Sequence, residues 1–272
     1  MTIFSEAAKL EELNCPFALA QIIDSRGSTP RHSAQMLVRS DGSILGTIGG
    51  GMVERKVIEA SLEALRAKAS RIFHGRMMRS GSDAVGSDCG GAMSVYISVH
   101  GLHPRLVLIG GGHVNRAVAR GAAGLGFDIA VADIYQESLN AEYFPPSTRL
   151  LLAETFSAAV DGLGIRQDDF VLIATNNKDS EALERLIEHP VAWLGLLASR
   201  RKVQVFLRQL HEKGVPEQKI ARLHAPVGYN IGAETPEEIA ISVLAEILQV
   251  KNNAPGGLMM TSDLLSPVLE MA

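Results

Sequence analysis

The second half of the chain alternates short apolar segments with helical sequence, and this alternation constrains the fold more than any other feature. From Pro104 onward, five segments read as buried strands: "RLVLIG", "FDIAVAD", "TRLLLA", "DFVLIAT" and "AWLGLLA". Helical or small-residue sequence follows each of them. Such alternation is typical of parallel βαβ units, whose helices cover both faces of the sheet. The pattern predicts a Rossmann-like, doubly wound α/β domain.

The first hundred residues follow a different pattern. "FALAQIIDS" reads as a strand, "QMLVRSDGSILGTI" reads as a hairpin, and an amphipathic helix begins after Gly51. Two more strands, "RIFHGRMM" and "MSVYISV", flank a loop rich in glycine and serine. We predict a small α+β module over residues 1–101 and a Rossmann-like domain over 102–251. The last helix of that domain begins at Thr235, with a capping box and a proline at its first position, and residues 252–272 form a tail.

Composition excludes several classes of protein. The 272 residues include 26 basic and 30 acidic side chains, so the net charge of −4 lacks the basic field that non-specific nucleic-acid binding needs. No apolar run approaches the roughly 20 residues of a membrane span. Two cysteines, Cys15 and Cys89, are too few for a disulfide framework, and the N-terminus lacks a signal-peptide core. We expect a cytoplasmic protein without nucleic-acid or membrane partners.

A glycine triplet follows the first strand of the Rossmann-like domain. Gly110 and Gly112 match the first two glycines of a dinucleotide fingerprint, and Asp133 ends the next strand, where an acidic group would reach a ribose hydroxyl. Asn115 stands at the third position of the fingerprint. His113 lies in the first helical turn and is either a ligand contact or a packing residue. The alternative is a domain that keeps these turn glycines and binds no dinucleotide.

A basic cluster, Ser199-Arg200-Arg201-Lys202, begins a later helix. Three cations at the positive end of a helix dipole are unfavourable unless an anion binds there. The cluster follows a strand, at the edge where open α/β sheets place their ligands. It therefore predicts an anion site, and the alternative is a solvated charge cluster.

The N-terminal module has a glycine triplet of its own, Gly49-Gly50-Gly51. It lacks the Lys-Ser/Thr of a P-loop, yet glycine backbone can approach a planar or anionic group closely. The segment "RGSTPR" supplies Arg26 and Arg31, and Cys89 adds a thiol followed by two glycines. The alternative for Cys89 is a small residue that packs a tight loop.

Six of these segments together resemble the XdhC/CoxI accessory proteins of molybdenum hydroxylases such as xanthine dehydrogenase. They occur in the family's order over about residues 20–250: "RGSTPRHSAQMLV", "GSILGTIGGGMVE", "SDCGG", "LVLIGGGHVNRAV", "WLGLLASRRK" and "APVGYNIGAETPEEIAISVLAEI". The resemblance implies a chaperone that binds molybdenum cofactor (molybdopterin or a nucleotide form), protects it, and delivers it to an apo-hydroxylase. It also implies a cysteine desulfurase as a further partner and a homodimeric assembly.

The resemblance further implies a set of cofactor-binding residues. These are Arg26, Gly49, Gly50, Gly51, Glu54, Cys89, Gly110, Gly112, His113, Ser199 and Arg200, to which the sequence itself adds Asp133 and Arg201. The chain departs from the family at Asn115 and Ala198, where relatives commonly have glycine. Both departures lie in the Rossmann-like domain and argue against tight pyrophosphate binding there.

Two classes of function remain open. A maturation chaperone needs no turnover chemistry of its own, whereas an NAD(P)-dependent oxidoreductase needs an acid or base beside the nicotinamide. The sequence offers His113 alone, on the phosphate side of such a fold, which disfavours catalysis. A nucleotidyl-transfer role is a third option, but no carboxylate cluster has magnesium-ligand spacing, and we predict no metal site.

Overall fold

The structure is a computed structural model that describes residues 2–76 and 91–259. Its contacts divide the chain into two units, Met1–His103 and Pro104–Ala272, close to the boundary expected after residue 101. Within the described ranges, none of the helices combines the length and the apolar character that crossing a membrane requires.

Unit 1 is an antiparallel sheet with helices packed against it. Its elements are α1 (Ile3–Glu12), β1 (Phe17–Arg26), β2 (Gln35–Arg39), β3 (Ile44–Gly46), α2 (Gly51–Ala67), β4 (Arg71–Arg76) and β5 (Ala92–His100). The strand order is β3-β2-β1-β5-β4, and every pairing is antiparallel. The helix expected after Gly51 is confirmed as α2, which buries Val53, Val57 and Ala64 among the side chains of the sheet.

Local hydrogen bonds explain two further features of unit 1. The expected hairpin forms between β2 and β3, where the Asp41 carboxylate accepts the Ser43 N–H at 2.9 Å and Gly42 adopts a φ of +84°. Helix α1 was not predicted, because its sequence reads mainly as polar. A capping box starts it: the Thr2 side chain accepts the Ser5 N–H, and the Ser5 side chain accepts the Thr2 N–H.

Unit 2 alternates strands and helices. Its elements are β6 (Arg105–Ile109), α3 (His113–Ala123), β7 (Asp128–Asp133), β8 (Arg149–Leu152), α4 (Phe156–Leu163), β9 (Phe170–Ile173), α5 (Asp179–Leu186), β10 (Trp193–Leu196), α6 (Arg200–Glu212), α7 (Glu217–Ile220), β11 (Leu223–His224) and α8 (Pro236–Lys251). Two short 3-10 turns, Gln136–Leu139 and Ala141–Tyr143, lie between β7 and β8.

The sheet of unit 2 confirms the doubly wound prediction. The strand order is β11-β10-β9-β6-β7-β8, and all pairings are parallel. Along the sequence, the strands are first added outward from β6 through β7 to β8. The chain then returns to the centre, and β9, β10 and β11 are added outward on the other side of β6. The direction in which strands are added therefore switches between β6 and β9. Leu106 and Leu108 pack into one hydrophobic cluster, and Val107 and Ile109 into another. This burial on both faces explains why the strands read as continuous apolar runs.

A buried ion pair joins the starts of the two central strands. Arg105 donates from Nε to Asp169 Oδ1 at 2.8 Å and from Nη2 to Asp169 Oδ2 at 2.5 Å. Arg105 also donates to the carbonyls of Leu163 and Gly164, and Asp169 accepts the Arg166 N–H. The hydrogen bond to Asp169 raises the pKa of Arg105 above its ordinary value. Both side chains are almost fully enclosed, so each charge depends on the other.

We predict that Arg105→Met lowers the free energy of unfolding by roughly 3–5 kcal/mol, because Asp169 would stay buried without its counter-ion. The control is Arg185→Met, which removes an exposed pair with Asp161 and should cost less than about 1 kcal/mol. Urea unfolding of both variants measures the difference. Equal losses in the two variants would contradict the assigned role of the buried pair.

Candidate functional site

A cavity of about 400 Å³ opens where β6, β7 and β9 end. Its described lining includes Gly110 and Gly112 after β6, Asp133 at the end of β7, and the segment 174–178 after β9. This position lies at the switch between β6 and β9, where open α/β sheets bind their ligands. We call it the crevice cavity.

The three glycines of the turn after β6 do not all have the same role. Gly110 adopts a φ of +103°, and a Cβ there would collide with the carbonyl oxygen of Ala174. A Cβ at Gly111 would collide with the carbonyl of Ser138. At Gly112, however, φ is −72° and a Cβ would meet no described atom within 4 Å. The first two glycines are therefore required for packing, and the third leaves open space beside the cavity.

Helix α3 begins at the edge of this cavity without a side-chain cap. Gly112 is its N-cap residue and offers no side chain to its first N–H groups. Helices α4, α6 and α8 are instead capped by the side chains of Thr155, Ser199 and Thr235. Because uncapped N–H groups and the helix dipole both attract anions, the start of α3 suits a phosphate or carboxylate. His113 is exposed in that first turn.

Asp133 lines the cavity but is already hydrogen-bonded to the protein. Its Oδ2 accepts the Gly111 N–H at 2.6 Å, and its Oδ1 accepts the N–H groups of Ile134 and Tyr135 at 2.6 and 3.0 Å. The side chain thus holds the glycine turn in place. Its predicted contact with a ribose hydroxyl stays a prediction.

Asn115 explains how the chain does without the third fingerprint glycine. The side chain is fully buried, and its Nδ2 donates to the carbonyls of Ile109 and Gly110 at 3.1 and 2.7 Å. The start of α3 is therefore tied to the end of β6 by hydrogen bonds. Asn115 Oδ1 is buried without a hydrogen-bond partner among the described residues.

The opposite wall of the cavity is held by a buried carboxylate that the sequence analysis missed. Asp179 Oδ1 accepts the N–H and the hydroxyl of Thr175 at 2.9 and 2.6 Å. Its Oδ2 accepts the ammonium of Lys202 at 2.5 Å. The rule that ligands bind at the carboxyl ends of strands would have singled out the polar run 175–178, since it begins at the last residue of the predicted strand "DFVLIAT".

Because Lys202 pairs with Asp179, the four residues of the predicted basic cluster have different roles. Lys202 is the counter-ion of Asp179, and Ser199 is the N-cap of α6, with its Oγ accepting the Lys202 N–H at 3.3 Å. Arg200 and Arg201 are exposed at the start of α6 and are not among the described residues that line the crevice cavity.

In unit 1, the loop that carries the glycine triplet already binds an anion of the protein itself. Glu54 Oε2 accepts the Thr47 hydroxyl and the N–H groups of Ile48 and Gly50, both at 3.1 Å. The Gly49 N–H donates to Thr47 Oγ1 at 3.0 Å. The N–H groups of Ile48 and Gly50 are thus already used by Glu54, and the predicted contact of this loop with a cofactor stays a prediction.

All three glycines of this triplet need the left-handed region. Their φ angles are +131° at Gly49, +77° at Gly50 and +66° at Gly51. A Cβ at Gly50 or Gly51 would meet no described atom within 4 Å, so only backbone conformation demands glycine there.

Three motif segments of unit 1 meet in space. A Cβ at Gly49 would collide with Pro30, and a Cβ at Gly91 would collide with the carbonyls of Arg26 and Ser28. The Arg26 side chain is exposed and pairs with Asp24 at 3.3 Å. Cys89 lies outside the described residues. The segment "RGSTPR" is thus placed between the glycine triplet and the segment that follows Cys89.

The family suggested by these motifs is confirmed by comparison with known proteins. Residues 106–247 match the XdhC Rossmann domain, and residues 10–75 match the XdhC and CoxI family. A crystal structure described as a xanthine dehydrogenase from Bacillus halodurans superimposes with a TM-score of 0.51 at 22% identity. It covers 93% of this chain and 96% of its own, and the likeness shows a shared fold.

The sequence similarity to three curated relatives covers between about half and nearly all of this chain. YqeB of Escherichia coli K12 is 81% identical over 96% of this chain and 48% of its own length. A Bacillus subtilis 168 protein, named as one of the probable xanthine dehydrogenase subunits, is 31% identical over 54% of this chain and 43% of its own. The molybdenum cofactor insertion chaperone PaoD of E. coli K12 is 28% identical over 86% and 83%.

The chain spans about half the length of the first two of these relatives. The family models together extend from residue 10 to residue 247, and the Rossmann model alone covers more than half of the sequence. This chain belongs to the XdhC/CoxI family.

Proposed function

We propose that this chain binds molybdenum cofactor and delivers it to a molybdenum hydroxylase of the xanthine dehydrogenase type. The observation that carries the proposal is the uncapped start of α3, which faces the crevice cavity in a domain that matches the XdhC Rossmann model. The names of PaoD and of the B. subtilis relative support the same assignment.

The described residues fit the anionic end of this cargo. Molybdopterin ends in a phosphate, and its nucleotide forms contain a pyrophosphate, so either form suits an uncapped helix N-terminus. The space left open at Gly112 admits a phosphate oxygen close to the backbone. Lys178 lines the same cavity and supplies a positive charge. When bound, the cofactor supplies the redox chemistry that the client enzyme needs.

The chain's own residues have two tasks in this proposal. Asp133 fixes the glycine turn, and Asp179 fixes Thr175 on the opposite wall, so both walls of the cavity are rigid before a ligand arrives. Such pre-organisation lowers the entropy lost on binding. His113, Ser199, Arg200 and Arg201 stay proposed as contacts to anionic groups of the ligand.

An NAD(P)-dependent oxidoreductase is the second candidate function. The observation in its favour is the strand order, because dinucleotides bind at this switch point in doubly wound sheets. Such an enzyme needs an acid or base beside the nicotinamide. Asp133, the carboxylate nearest the turn, already accepts three N–H groups and is poorly suited to proton transfer.

The partners in this proposal are an apo-hydroxylase, a cysteine desulfurase that provides sulfur for the metal, and a second copy of the chain. Unit 1 would face the client or the sulfur donor, because Arg26 and the "RGSTPR" segment are exposed beside the glycine triplet.

We predict that the protein purified without oxygen from a cofactor-producing host contains about one pterin per chain. Acid oxidation converts a bound pterin into a fluorescent product that chromatography quantifies, and nicotinamide is measured on the same extract. Stoichiometric nicotinamide without pterin would show that the protein is an oxidoreductase and that the proposed function is wrong.

Gly112→Ala should weaken cofactor retention about tenfold while the protein stays folded. The added methyl group fills the open space beside the start of α3, and the ordinary φ of −72° accepts alanine, at an N-cap cost below about 1 kcal/mol. The control is Gly124→Ala at the other end of α3, where φ is −69° and the nearest described atom lies 3.7 Å from a Cβ. Unchanged pterin content in Gly112→Ala would exclude α3 as the binding element.

Cys89→Ser should lower both cofactor retention and activation of the client enzyme, because a thiolate stabilised by a guanidinium, that of Arg26 or of Arg31, suits a site where sulfur is handled. Cys15→Ser should leave both near wild type, since Cys15 is exposed near the end of α1. Bound pterin and melting temperature are then measured for Cys89→Ala. Wild-type retention with a lowered melting temperature would reduce Cys89 to a packing residue.

A further inference from the structure

A small cavity of about 160 Å³ lies in unit 2 at the edge of the sheet, where β10 and β11 begin. We call it the Arg222 cavity. It opens at the amino ends of these strands, whereas the crevice cavity opens at the carboxyl ends of β6, β7 and β9, and the two share no described lining residue. Drug-sized sites begin at roughly 300 Å³, so this cavity suits a ligand of only a few heavy atoms.

The polar side chains that line the Arg222 cavity are basic or neutral. They are His189, Lys219, Arg222 and His224, and the described lining holds no aspartate or glutamate. Lysine and arginine carry positive charges at neutral pH. The permanent charges in the described lining are therefore both positive, although the chain as a whole has a net charge of −4.

The guanidinium of Arg222 is held in place without a described counter-ion. Its Nη2 donates to the carbonyl of Ile187 at 3.2 Å. Among the described residues, no carboxylate oxygen lies within 4.0 Å of it. A guanidinium is a planar fork of N–H donors that matches a carboxylate in geometry. Arg222 thus keeps donors available for an anion in the cavity.

Two further side chains add donors to the same cavity. Lys219 lies on α7 and donates to Glu188, whose side chain is 52% exposed. An ammonium group has more than one N–H, so this pair does not use all the donors of Lys219. The imidazole of His189 offers at least one N–H in either protonation state. Three side chains are therefore able to donate to one small anion.

A second carboxylate, Glu246, lies behind His224 and outside the described lining of the cavity. Its Oε1 lies 2.5 Å from His224 Nδ1 and accepts the Trp193 indole N–H at 3.2 Å, while its Oε2 accepts the Gly228 N–H at 2.5 Å. Burial raises the pKa of Glu246, but these hydrogen bonds outweigh it and lower the pKa below its ordinary value. The negative charge of Glu246 is thus already bound by the protein.

The rest of the described lining is apolar and decides which anion fits. It consists of Ile187, Val191, Ala192, Trp193 and Leu194. The oxygens of a phosphate or sulfate that faced these side chains would lack donors, which is costly. A carboxylate needs donors at one end only, and an apolar group attached to it can pack against the apolar wall.

We propose that the Arg222 cavity binds a small organic monocarboxylate. Its carboxylate accepts hydrogen bonds from Arg222, Lys219 and His189, and its short apolar body packs against Val191 and Trp193. The site lies at the other end of the strands from the crevice cavity, so it stands whether or not the proposed function holds.

The chain contains a built-in reporter for this site. Trp193 is the single tryptophan of the sequence, it is 1% exposed, and it lines the cavity. Its ring lies 5.7 Å from the ring of His224. A ligand in the cavity therefore changes the surroundings of the only indole, and the fluorescence of the indole reports the change.

The experiment titrates the full chain with isovalerate at constant ionic strength and follows the fluorescence of Trp193 and the heat of binding. We expect saturable binding at millimolar concentration, as suits a ligand with so few atoms. Isovaleramide keeps the shape without the charge, and inorganic phosphate keeps the charge without the apolar body. By the fluorescence of Trp193, each should bind at least tenfold more weakly. No saturable binding of isovalerate, or equal binding of either control compound, would overturn the proposal.

Two variants test the named donors. Arg222→Gln should weaken isovalerate binding about tenfold, as expected for one charge-assisted hydrogen bond, and His189→Leu should weaken it about fivefold. Both side chains lie at least partly at the surface, so the melting temperature should change little. The matched control is Arg208→Gln, which removes an exposed arginine of α6 outside the described lining and should bind like the unsubstituted chain.

Unchanged isovalerate affinity in both cavity variants would refute the site. Pterin content measured on the same preparations should be equal in Arg222→Gln and in the unsubstituted chain. A failure of this proposal is thereby distinguished from a failure of the proposed function.

Discussion

A parallel strand that is buried on both faces has no place for polar chemistry along its length, so polar groups gather where the strand ends. Unit 2 obeys this constraint at β6 and β9, whose apolar side chains all belong to the two hydrophobic clusters. The buried pair of Arg105 and Asp169 lies at one end of these strands, and the glycine turn and Thr175 lie at the other. The crevice cavity is therefore a direct result of how the central strands are buried.

Carboxylates are used throughout the molecule to hold backbone in place. Asp133 fixes the glycine turn, Asp179 fixes Thr175, Glu54 fills the loop of unit 1, and Glu246 holds Gly228. Each of these anions is hydrogen-bonded to main-chain N–H groups. The starts of α3 and α5, which both border the crevice cavity, differ, because no described side chain caps them. That contrast makes this edge of the cavity the natural position for an anion that comes from outside the chain.

Periodic features of the sequence predicted most of the fold. The apolar strands gave the doubly wound sheet, and the capping box at Thr235 placed α8 correctly. Helix α1 was not predicted because its segment reads mainly as polar, although Ile3, Ala7 and Leu10 recur at helical spacing and are partly buried. Strand β11 is only two residues long, and so short a segment carries no periodicity.

The candidate site was only partly predictable. Gly110 and Gly112 follow a strand and are recognisable by position, whereas the pairing of Lys202 with Asp179 depends on two helices that meet only in the folded chain. The same holds for His224 and Glu246. Glu54 was predictable as a motif residue but not in its contacts. Only the structure shows that its carboxylate accepts N–H groups of the glycine loop that precedes it.

Each sheet has one very short edge strand, β3 with three residues in unit 1 and β11 with two in unit 2. An edge strand of that length exposes few unpaired N–H and C=O groups to another chain. These two edges are therefore poor templates for the addition of a strand from another chain.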